Sequence, residues 1–212
     1  MGKDAFNEAE LFLIGKWNDV LLLEESVKRV RDRHKGICET VCAVVEERYP
    51  ELDNRGVHLD NASGYFGLGK KGWPTNSVTW PSGFWIENIN LDALSSEEED
   101  APTARIRLKG PKGFDFDFAH AKQRILQASK ELMAKEIMTD GQRRKCLAEN
   151  DGVTCLWYPL PESRQQLLEM LLKPQSREFI ECLVSHFDVL AKLIPVIDEV
   201  FGKSSKRGRQ GA

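Results

Sequence analysis

Residues 64–91 read GYFGLGKKGWPTNSVTWPSGFWIENINL. Short runs of Tyr, Phe, Val, Ile and Trp are cut by Gly, Pro, Ser and Asn. This is how strands and tight turns alternate. The composition predicts strands near Gly64–Leu68, Ser77–Trp80 and Phe84–Leu91, followed by Arg105–Lys109 and Phe114–Phe118. Gly69–Pro74, Pro81–Gly83 and Gly110–Gly113 are turn material.

On either side of this region the hydrophobic period changes from two to between three and four. Leu13, Trp17, Val20, Leu23, Val27, Val30, His34, Ile37, Val41 and Val44 recur at helical spacing. They predict one helix over residues 5–49, bent or broken at Gly36 and ended by Pro50. Further helices are expected at 119–138, punctuated by Asp140-Gly141, and at 162–172 and 177–200. A strand near 153–158 lies between them. Pro195 kinks the last helix or ends it, and Gly202 is a stop. Strands in one run and helices in others predict an α+β fold. Its mainly antiparallel sheet spans about residues 57–118 plus the strand near 153–158, flanked by long amphipathic helices at both ends. Residues 1–202 form a single domain in this reading, and 203–212 a disordered basic tail.

The chain has 212 residues, 41% of them apolar and 30% charged, with a net charge of −3. A chain of this size buries about 70% of its surface, enough for one well-cored domain. The composition excludes wholesale disorder and collagen-like or low-complexity architecture. The charge is too small to argue for nucleic acid or membrane by itself. The longest apolar stretches near the N-terminus, Leu11–Ile14 and Val20–Leu23, are too short for a secretory core or a membrane span. Five cysteines without a signal segment predict reduced thiols and a cytoplasmic location.

Five constellations could carry chemistry, and each has a plain structural use beside it. Gly64–Lys71 approaches a phosphate-binding loop, but Lys71 stands where a hydroxyl is needed and Gly72-Trp73-Pro74 forbids a following helix. It reads as a glycine-rich hairpin. Tyr65, Phe66, Trp73, Trp80 and Trp85 form an aromatic cluster, which predicts a surface that grips a protein partner. The same rings could instead fill the core. Lys70, Lys71, Arg105, Arg107, Lys109, Lys206, Arg207 and Arg209 would make a nucleic-acid surface if they converged. Asp115 and Asp117, sharing one face of a strand, with His120 two residues beyond it, would suit a metal-dependent hydrolase.

His34, Cys38 and Cys42 lie along one helical stripe but lack a fourth zinc ligand, so they read as core. The other cysteines have no local base partner. A nuclease of the D…E-x-K type fails because Asn88 and Ile89 follow Glu87. No G-x-S-x-G, H-E-x-x-H or helix-opening G-x-G-x-x-G occurs, so no cofactor is expected. The sequence thus favours a non-enzymatic binding or regulatory protein with a protein partner. The long helices offer a possible homodimer surface. A nucleic-acid-binding accessory protein and a metal-dependent hydrolase are the alternatives.

Overall fold

A computed structural model describes residues 7–60, 64–75, 81–96, 101–109, 116–132, 140–148 and 151–207. The expected α+β architecture is present. The sheet is antiparallel, with strands in the order β1 (Leu52–His58), β2 (Tyr65–Lys70), β3 (Gly83–Glu87), β4 (Thr103–Arg107) and β5 (Thr154–Pro159). Register aligns Val57, Phe66, Ile86, Ala104 and Tyr158 across it, and Leu68, Phe84, Ile106 and Leu156 in the next row. Because strand side chains alternate, both rows share one face. All but Val57 of these side chains are wholly buried.

That face is covered by helices. The N-terminal helix is split into α1 (Glu8–Gly15) and α2 (Trp17–Arg48) at Lys16, whose backbone leaves helical geometry. Asn7 and Glu10 close a capping box at the start of α1. Gly36 does not break α2. From α2, Cys38, Val41, Cys42 and Val45 enter the core. Opposite them come Phe179, Leu183, Phe187 and Leu190 of α7 (Arg177–Ala191). The Phe66 and Phe187 rings lie 5.7 Å apart. Along the chain, α3 (Leu91–Ser95) lies between β3 and β4, α4 (Phe118–Leu132) and α5 (Asp140–Ala148) between β4 and β5, and α6 (Arg164–Leu172) between β5 and α7; α8 (Ile194–Arg207) follows α7. None of the helices in the described residues is long and apolar enough to cross a membrane.

Several sequence expectations need correction. The sheet begins earlier than residue 57, at Leu52, because β1 is polar and bulged near Gly56 (φ 119°), which hides the alternation. The strand expected over Phe84–Leu91 ends at Glu87. Asn88 turns the backbone to φ 60°, and the Asn90 side chain caps α3 by accepting from Ala93 N at 2.7 Å. Phe116 and Asp117 are not in a strand, and Phe118 opens α4. Asp140-Gly141 starts α5 instead of only separating helices. Pro195 falls in the first turn of α8, where the backbone N–H it lacks would have no intrahelical partner, so α7 ends and a new helix begins. Gly202 does not stop α8, which continues to Arg207. The strand expected at Ser77–Trp80 lies outside the described residues.

Candidate interaction surface

Of the aromatic surface expected from residues 65–85, Phe66, Trp73 and Trp85 are not presented to solvent. Phe66 is wholly buried, Trp85 is 1% exposed and Trp73 is 5% exposed. Trp85 lies across Gly67, its register partner on β2. The Trp73 ring meets Phe84 edge-on at 5.5 Å, and its Nε1 donates to Asp198 Oδ1 at 2.9 Å. That hydrogen bond ties the turn after β2 to α8. Tyr65 is half-buried between His58, at 4.9 Å, and Trp85, at 5.8 Å. Trp80 lies outside the described residues. Core filling therefore claims Phe66, Trp73 and Trp85, because a large ring gains more by burial than any other side chain of the sheet. The glycine-rich run is strand β2, with its backbone in the sheet ladder, as the hairpin reading has it.

The basic residues do not converge either. Arg105 Nε and Arg107 both pair with Glu87, at 2.9 and 3.1 Å, in a largely buried cluster on the sheet face opposite Phe84 and Ile86. Lys70 pairs with Asp198. Lys71 Nζ donates to Pro50 O at 3.1 Å, and Lys109 is exposed beside Ser82. Lys206 and Arg207 belong to the last turn of α8, and Arg209 lies outside the described residues. The proposed metal pair is likewise undone. Asp115 lies outside the described residues, and Asp117 caps α4, its Oδ1 accepting from the backbone N–H of His120 at 2.9 Å. A cap residue faces its own helix terminus, not a strand neighbour.

The unexpected surface is the first half of the N-terminal helices. The 3,4 stripe continues unbroken, but it changes company at His34. From His34 onward it packs into the core; before it, no residue of the described chain is buried. Leu11, Phe12, Leu13, Ile14, Trp17, Leu21, Leu22, Leu23, Val27 and Val30 are each between 42% and 66% exposed. Monomers rarely leave a contiguous apolar surface of that size in water. Periodicity makes this stripe visible in the sequence, yet periodicity does not say whether the stripe meets its own core. The charges around it are segregated. Asp19, Glu24 and Glu25 lie in the first half, and Lys28, Arg29, Arg31, Arg33 and Lys35 in the second, with Lys16 and Asp32 the exceptions.

The thiols divide in the same way. Cys38, Cys42, Cys146 and Cys155 are buried, whereas Cys182 on α7 is half-buried. Burial pushes the Cys38, Cys42 and Cys155 thiols far up, which makes them inert core residues. Cys182 does have a base close by, contrary to the sequence reading, since His186 is one helical turn away. No family model, curated protein or solved structure matches the chain.

Proposed function

We propose that the protein is a non-enzymatic binding module that assembles through the exposed half of α2, pairing antiparallel with a second copy of itself. The observation that carries this is the open stripe of residues 20–30. Val20 and Val27 stand at one core position of a heptad and Leu23 and Val30 at the other. Apolar residues at both core positions can insert as knobs into the holes of a facing helix.

Charge and geometry support the antiparallel sense. Turning one helix about residue 25 lays Val20 on Val30 and Leu23 on Val27 of the other copy. The same turn lays Asp19 of each helix on Arg31 of its partner. A parallel pair would oppose like charges, which costs stability and misdirects pairing. In the antiparallel pair, residue 16 meets residue 34, so the contact ends where α2 enters its own core. Within the contact, Trp17, Leu21, Leu22, Leu23, Val27 and Val30 are each between 42% and 64% exposed, which amounts to about three fully exposed large apolar side chains per copy.

Light scattering after size exclusion tests the reading. The full chain should run at about 48 kDa, twice its 24.1 kDa mass. Val27→Glu should run as the monomer with an unchanged circular dichroism spectrum, because Val27 touches no core. A chain that stays monomeric at about 100 μM, well above the usual Kd of a specific interface, removes the self-pairing.

A further inference from the structure

Glu162, Cys182 and His186 bring three different kinds of metal ligand to one place. Cys182 and His186 stand at i and i+4 on α7, so they lie on the same face one turn apart. Glu162 immediately precedes Ser163, the cap of α6, whose capping box fixes the entry of the chain at that point. His186 Nε2 is 3.1 Å from Glu162 Oε2. The Cys182 thiol hydrogen-bonds to the same residue, and the three donor atoms all lie within 4.8 Å of one another. Ligands of a tetrahedral zinc ion, at about 2.0–2.3 Å from it, sit about 3.3–3.8 Å apart. His186 Nε2 and Glu162 Oε2, 3.1 Å apart, are already near that spacing.

The surroundings fit an ion. His186 is buried, while Cys182 and Glu162 are half-buried, so the donors are held in place but reachable from solvent. Tyr158, at the end of β5, has its ring 6.1 Å from that of His186. Its hydroxyl is fully buried and finds no hydrogen-bond partner among the described residues. A buried hydroxyl left in this state costs free energy unless something polar meets it.

We propose that Glu162, Cys182 and His186 bind a Zn2+ ion, with water in the fourth position. A mixed sulfur, nitrogen and oxygen set suits zinc; calcium and magnesium take oxygen alone. Binding replaces the two hydrogen bonds to Glu162 with metal bonds. The Cys182 thiol proton leaves to solvent as the zinc–thiolate bond forms, and no electron is transferred. Without metal, burial and then the Glu162 carboxylate push this thiol up to about 12, so it stays protonated at neutral pH and is no nucleophile. The ion would tie the start of α6 to the middle of α7. This inference is independent of the self-pairing through α2.

Cobalt titration of the full chain tests it, since Co2+ takes zinc sites and reports its ligands by absorption. One equivalent should produce a thiolate-to-cobalt band in the near ultraviolet, and Zn2+ should abolish it. Cys182→Ser should lose the band while keeping the circular dichroism of the parent. His186→Gln and Glu162→Gln should each weaken cobalt binding at least tenfold. A folded parent that gives no thiolate band in excess Co2+ overturns the site. So does a band that survives Cys182→Ser, or an affinity unchanged in both of the other variants.

Discussion

Trp85 is held where it is by the absence of a side chain on Gly67. A Cβ at Gly67 would sit 2.6 Å from the indole Cε3 and would also collide with the carbonyl of Phe84. Strand pairing puts the two residues opposite each other, so glycine is the residue that lets an indole lie flat on the sheet. Trp85→Ala should therefore cost about 3–5 kcal/mol, read as a lowered urea midpoint, and should not act as a selective loss of binding. His34 gives a second prediction at this scale. Its ring is 3% exposed, edge-on to Phe179 at 6.0 Å, and burial lowers its pKa from 6.5 to about 4. Between those two values the unfolded chain binds a proton that the folded chain does not. Stability should thus fall as pH drops from about 6.5 to about 4, by at most about 3 kcal/mol. Denaturant unfolding of the parent and of His34→Leu across that window checks this: the parent should lose stability relative to the variant as pH falls, by at most about 3 kcal/mol.

At the scale of elements, α2 is two things joined at His34. Its second half is a core helix, with Cys38, Val41, Cys42 and Val45 packed in. Its first half makes no buried contact, although its period is the same. A helix stripe facing only water contributes little to folding, since burial is what stabilises it. Removing residues 1–30 should therefore leave the thermal midpoint within about 4 °C of monomeric Val27→Glu, a change of about 1 kcal/mol. Calorimetry on both chains decides it; a drop of 10 °C or more would place those residues in the fold. The strand elements behave differently. β3 has no exposed residue at all, with one face on the helices and Trp85 and Glu87 covered on the other. Such a strand reads as a continuous apolar run, which is why Phe84–Ile86 stood out in the sequence while polar β1 did not.

For the molecule as a whole, burial and exposure are distributed against simple expectation. The rings that look like a binding surface are core, and the stripe that looks like core is half surface. The two proposed sites sit on different parts of the chain. One uses the first 30 residues; the other lies where β5, α6 and α7 meet. The arginines that might have faced nucleic acid are held by Glu87 instead, since a carboxylate between two guanidiniums offsets the cost of burying all three.

Amino-acid order alone determined the α+β class, most strand and helix positions, and the 3,4 stripe of residues 13–44, because these follow from local period and turn chemistry. It also ruled against a phosphate loop at Gly64–Lys71, since proline and tryptophan forbid a helix there. Only the tertiary structure decided which half of the stripe meets a core, because an apolar face has the same period whatever it touches. Tertiary packing also decided that Trp73 and Trp85 are interior. It alone brought Glu162 to Cys182 and His186, since the chain reverses between α6 and α7 and contact across 20 residues leaves no trace in spacing.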